Sequence, residues 1–240
     1  MDIDDCNNCK NWPNFPKHIS RTTSGLLGNT VMICGGFNNF YNLANNECYS
    51  FTAQKTTLIT YMSVKRMDAA SIVLNDNTLW VTGGEGKDGC IASTERVKMS
   101  GSMPGPDLPM ALASHAMASI NSTVSMVIGG WDGNGWDGTA STFYYNHIEG
   151  EWSNGPILMQ SRYEHAAGIV TDELTDEKFV AVTGGLFIAL SQTGNYDSIV
   201  YLNSSEILQD GKWVEGKINN TINLLKISGH YNTFIEVKEF

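Results

Sequence analysis

Residues 133–138 read Gly133-Asn134-Gly135-Trp136-Asp137-Gly138, the G-x-G-x-x-G spelling of a turn that cradles a dinucleotide pyrophosphate. Gly84-Glu85-Gly86-Lys87-Asp88-Gly89 spells it a second time. That chemistry needs a helix opening at the glycines, so that its free amides meet the phosphates. Here the downstream text is "STERV" in one case and "STFYYN" in the other. Both are β-branched and aromatic, so a strand follows and no cofactor is expected.

The other candidate chemistries are read the same way. Asp132, Asn134 and Asp137 offer oxygen ligands for a hard cation, but no twelve-residue loop with flanking helices surrounds them, and a polar turn is expected. His115, His165 and His230 recur at one place in a repeat, as a three-histidine metal site would require. Arg66 takes that place in another repeat, so a structural role is expected and no metal is assigned. The acidic run "DELTDEK" at 172–178 reads as a solvated turn. No G-x-S-x-G, H-E-x-x-H or Walker spelling occurs, and no catalytic set is identified.

Composition narrows the partners. The 240 residues carry a net charge of −10, which argues against a phosphate backbone and against nucleic acid as partner. No apolar run is long enough to span a membrane. The start, "MDIDDCNNCKNW", has neither a basic n-region nor an apolar core, so no signal peptide is read. A chain complete at Met1 is expected in the cytoplasm, and one truncated at its N-terminus is expected outside the cell. Asn121, Asn203 and Asn219 head N-x-S/T sequons and are candidate glycosylation sites.

The elements behind these residues form a repeat. Double glycines stand at Gly35-Gly36, Gly83-Gly84, Gly129-Gly130 and Gly184-Gly185, spaced by 48, 46 and 55 residues. A period near 50 marks a propeller array. Each pair ends a short apolar strand: "VMICGG", "LWVTGG", "SMVIGG", "VAVTGG". A strand opening with Arg or His precedes it, as in "RMDAASIVL", "HAMASI" and "HAAGIV". A third strand follows ("ECYSF", "TERVKM", "TFYYN", "SEILQ"), then a fourth segment such as "GEWSNGPILM" or "GKWVEG".

The in-phase Gly-Gly pairs, Trp152 and Trp213, Glu95 and Glu206, and the Arg or His before each first strand resemble the kelch repeat. The resemblance covers residues 19–237 and implies an all-β, kelch-type β-propeller. Four full four-stranded blades are expected, with terminal half-blade strands and an incomplete ring. Residues 1–18 are read as an N-terminal segment whose "NWPNFP" looks like the last strand of a missing or closing blade, and 238–240 as a tail. A fragment of a larger propeller is favoured over a ring closed by the two ends.

Cys34 and Cys48 fall on strands that should be antiparallel neighbours. "ICGG…ECYSF" is similar to secreted invertebrate kelch proteins, which carry a cysteine at both places. A disulfide and a reduced buried pair both remain open at this point.

With no catalytic set, function falls to the loops after the Gly-Gly pairs. They hold Phe37, Tyr41, Trp131, Asp132, Trp136, Phe187 and Tyr196, and Arg66, His115 and Arg162 begin first strands beside them. Aromatics on loops of a rigid scaffold anchor protein partners. A non-catalytic protein-binding scaffold is the expectation. The alternatives are a carbohydrate-binding or galactose-oxidase-like enzyme propeller, and a substrate adaptor for a ubiquitin ligase or a cytoskeletal partner within a longer chain. A copper-radical centre would need a Cys–Tyr pair and two His ligands, and that set is not placed.

Overall fold

The computed structural model describes residues 13–38, 43–134, 137–172, 175–190 and 196–216, and every structural statement concerns these. They form strands and no helix. Four antiparallel four-stranded sheets follow one another along the chain, each wound in simple up-and-down order from first strand to fourth. Blade one comprises Thr23–Leu27, Thr30–Cys34, Leu43–Phe51 and Thr56–Arg66. Blade two comprises Ala70–Leu74, Thr78–Thr82, Thr94–Lys98 and Gly101–Pro104. Blade three comprises Ala116–Ser119, Val124–Ile128, Thr142–Asn146 and Glu151–Asn154. Blade four comprises Ala166–Thr171, Lys178–Thr183, Ser205–Gln209 and Lys212–Glu215.

The second strands of blades two and three are largely apolar and buried because each is covered on both sheet faces. In "TLWVT" every residue is buried. Period-2 alternation sends Leu79 and Val81 into the seam with blade one and Trp80 into the seam with blade three. Val127 likewise faces blade two, while Met126 and Ile128 face blade four. The hydrophobic core is therefore three seams between blades. Each fully buried large side chain contributes roughly 1.5–3 kcal/mol to holding them.

Gly-Gly is required at the end of each second strand. Gly83 and Gly84 have φ of +56° and +100°. A Cβ on Gly84 would stand 2.6 Å from the Met67 carbonyl oxygen, and one on Gly35 2.6 Å from that of Arg66. The second glycine's amide donates to the chain leading into the following blade: Gly36 to the carbonyl of Arg66, which ends blade one's fourth strand, Gly84 to Leu112 and Gly130 to Arg162, at 2.7–2.9 Å. A side chain would break the joint between blades as well as strain the turn.

Several expectations are corrected. Arg66 ends the fourth strand of blade one and does not open a strand of blade two. Where a loop is expected after Gly185, Leu186–Leu190 pairs antiparallel with Tyr196–Tyr201. In the N-terminal segment, 13–18 carry no strand; Phe15 lies edge-on to Tyr49 of blade one, with centroids 4.9 Å apart. Only then does Ile19–Ser20 pair with Phe37–Asn38.

Candidate functional site

One backbone pattern repeats at the Gly-Gly end of every blade. Two residues before each first strand, or close to it, stands a non-glycine residue with positive φ: Arg21 (57°), Asp68 (50°), Ser114 (52°) and Glu164 (56°). Their backbones are chained, with the Asp68 amide on the Arg21 carbonyl, Ser114 on Asp68 and Glu164 on Ser114, at 2.9–3.0 Å. The residue just before each one bridges the residue just after a Gly-Gly pair. These bridges are Ser20 with Phe37, Met67 with Glu85, Ala113 with Trp131 and Tyr163 with Leu186. Phe37, Glu85, Trp131 and Leu186 are thus structurally equivalent, and strand pairing rather than loop chance sets their backbone positions.

Of these, Phe37, Glu85 and Trp131 are partly exposed and Leu186 is buried. Trp131 also bridges Gly138, which closes its loop. The Cys90 thiol, from the neighbouring hairpin, donates to the Trp131 carbonyl at 3.4 Å. Burial first, then Glu85 and Asp132, pushes the Cys90 pKa up to about 11. Asp132 accepts the Asn134 amide at 2.9 Å, the polar turn expected there. Arg21 lies over the Phe37 ring at 5.9 Å and ion-pairs with Asp68 and Glu85. Burial raises the Asp68 pKa against the opposing pull of Arg21. Phe187 is partly exposed and Asn121 and Asn203 are exposed. Tyr41, Trp136, Asn219 and His230 lie outside the described residues, as does the side chain of Tyr196.

Arg66, Arg162 and His115 do not belong to a docking surface: they are 0%, 0% and 1% exposed. Arg66 donates to the Gly83 and Ser93 carbonyls at 2.7 Å and to Glu95 at 3.0 Å. Glu95 in turn accepts the Ser63 and Val64 amides. Burial pushes Glu95 up, but those amides, Ser102 and Arg66 outweigh it and hold it below the usual carboxylate range. Arg162 repeats the arrangement on Gly184, Ser204 and Glu206, with Glu206 accepting from Met159 and Gln160. These are clamps that join neighbouring blades. His115 Nε2 lies 2.8 Å from Thr82 Oγ1, and burial holds the pKa of both His115 and His165 down to about 3. No cluster of three His, Cys, Asp or Glu able to hold a metal occurs among the described residues.

Cys34 and Cys48 stand directly opposite on adjacent strands with Cα atoms 4.1 Å apart, and a disulfide joins them. The clamps themselves went unread in the sequence, although Glu95 and Glu206 were visible as a repeated feature.

The comparisons with known proteins agree with this geometry. No family model matches the chain. It is 26% identical over 119 residues to Kelch repeat and BTB domain-containing protein 2 of Cowpox virus (strain Brighton Red). That stretch is 48% of this chain and 21% of the relative, so the chain matches about a fifth of its length. The solved structure of YjhT superposes with a TM-score of 0.73 over 86% of this chain and 73% of that one, at 13% identity. At that identity the likeness speaks for the fold. The molecule is a kelch-type, all-β propeller.

Proposed function

We propose that the chain is a non-catalytic protein-binding scaffold whose docking surface is the Gly-Gly face. The observation that supports it is the repeated bridge that holds Phe37, Glu85 and Trp131 at equivalent positions beside a hydrogen-bonded run of backbone. Pre-ordered anchors lose little entropy on binding. Asp88, Asp132, Asp137 and Glu164 surround them, so the fitting partner is a segment that joins basic side chains to an apolar anchor. His115 and His165, which follow Ser114 and Glu164 at this face, are buried and held neutral beneath it. The Cys34–Cys48 bond supports an oxidising compartment, in keeping with the likeness to secreted kelch proteins.

Peptide display on the immobilised protein tests this reading. Selected sequences should be rich in Arg and Lys around an aromatic or aliphatic residue. Trp131→Ala with Trp136→Ala should abolish the enrichment while leaving the melting temperature nearly unchanged. Selection without any basic or apolar preference would remove the Gly-Gly face as a docking surface.

A further inference from the structure

At the opposite end of the blades, between blades two and three, lies a pocket of about 210 Å³. Its walls include Asp76, Arg96, Ser119, Asn121, Ser122 and His147. It is held across the seam by the Asn75 amide, which donates to the Ser122 carbonyl at 3.3 Å. Nothing in the docking face reaches it.

Arg96 is unlike the other arginines. Arg21, Arg66 and Arg162 each pair with a carboxylate. The Arg96 guanidinium makes no hydrogen bond or ion pair among the described residues, although it is near enough to Asp76 to help lower that carboxyl's pKa; its Nε is buried without a partner, as are those of Arg66 and Arg162. A buried guanidinium Nε with no acceptor is costly, because that nitrogen has lost water and gained no partner. It stands on the third strand opposite Trp80 and Met103. His147 packs against the same Trp80 ring at 5.3 Å and is held by Ser125 Oγ at 2.8 Å from its Nε2.

The remaining lining is mostly donors, and one wall differs. Asn121 has its Oδ1 saturated by the Thr123 amide, the Thr123 hydroxyl and the Val124 amide. Its NH₂ group is what it has left to offer. Ser122 supplies a hydroxyl, while that of Ser119 donates to the Asn121 carbonyl at 3.4 Å. Asp76 ion-pairs with Lys98 at 2.9 Å; that hydrogen bond first, then Thr78, holds its pKa below the usual range, so it is an ionised acceptor.

We propose that this pocket binds a protonated tetrahedral oxyanion, a hydrogen phosphate group, with Arg96 as its main ligand and Asp76 accepting its proton-bearing oxygen. The guanidinium fork matches two phosphate oxygens. The carboxylate explains the choice of anion: it accepts from P–OH but repels sulfate, which has no proton at neutral pH. The group is free hydrogen phosphate, because a phosphomonoester, with its second pKa at about 6, has largely lost its proton at neutral pH.

The test is a titration of the intact protein with inorganic phosphate, methyl phosphate and sodium sulfate at fixed ionic strength, followed by the His147 ring signals and by calorimetry. Phosphate should bind saturably, and Arg96→Gln should weaken it by about tenfold or more, as expected for a charge-assisted hydrogen-bonded pair. Sulfate should bind more weakly than phosphate, and Asp76→Asn should erase the difference. Methyl phosphate, mostly unprotonated at neutral pH, should bind weakly as sulfate does, and binding as tight as phosphate would overturn the role of Asp76. Should Arg96→Gln unfold, Arg96→Lys keeps the charge without the fork and should still weaken binding. His147 shifts that follow ionic strength alone, or phosphate binding unchanged in Arg96→Lys, would overturn the proposal.

Discussion

Leu112 and Phe143 occupy, at the seam between blades two and three, the positions that Arg162 and Glu206 occupy one seam later. Both are buried in one apolar cluster, where the later pair is ion-paired at 2.8 Å. The exchange extends to a third position. Glu206 accepts the Met159 amide, but the equivalent residue beside Phe143 is Pro109, which has no amide hydrogen to offer. Seams therefore come in two kinds: Ser63/Arg66/Glu95 and Met159/Arg162/Glu206 are ionic, while Pro109/Leu112/Phe143 is apolar.

Exchanging one kind for the other is the first prediction. Arg162→Leu alone strands a buried carboxylate and should cost about 3–5 kcal/mol of stability. Met159→Pro, Arg162→Leu and Glu206→Phe together rebuild the apolar seam and should return to within about 1–2 kcal/mol of the parent. Urea unfolding of the single, double and triple variants measures the coupling. A triple variant as unstable as the sum of its single changes would show the two seams not to be interchangeable.

Acid should weaken the fold through His115 and His165. Their folded pKa of about 3 lies below the unfolded value, so between the two the unfolded chain takes up protons that the folded chain refuses. Stability is full above about pH 6.5 and falls as pH drops towards 3, by about 2 kcal/mol per histidine between pH 7 and 5. Glu95, with its depressed pKa, adds a loss at lower pH. Urea midpoints at pH 7 and 5 should show this slope, and His165→Gln should reduce it. An unchanged slope in that variant would mean that His165 is protonated in the folded protein.

Reduction should loosen blade one selectively. The bond joins residues 14 apart, a loop for which chain entropy predicts about 3 kcal/mol. Hydrogen exchange before and after dithiothreitol should show faster exchange in Thr30–Cys34 and Leu43–Phe51, with Val124–Ile128 less affected. Equal acceleration in blades one and three would show that the propeller opens as one unit.

Much of the framework was legible because its signals are local. Gly-Gly endings, apolar second strands and turn residues depend on a few adjacent positions, and all four blades follow from them. Cys34 and Cys48 were visible as a pair because neighbouring strands of one blade fix their register. The roles of Arg66, Arg162 and His115 were misread because their partners lie on the next or previous blade. A basic residue near a loop looks exposed until the depth of the seam is known. The Pro109/Leu112/Phe143 substitution was readable in principle, since all three letters change together, but only after Arg66 and Glu95 are known to touch. Arg96 carried no signal, as one arginine in an alternating strand looks like a solvated face.

The hydrogen-bonded run from Arg21 through Asp68 and Ser114 to Glu164 is made by main-chain atoms. Their side chains take no part in those bonds, and their identities differ completely from blade to blade: a cation, two acids and a hydroxyl. Architecture and recognition are thereby written in separate alphabets. Mutation can rewrite what the mouth of the propeller displays while the main-chain frame beneath it is passed on unaltered, so a new specificity need not wait for a new fold.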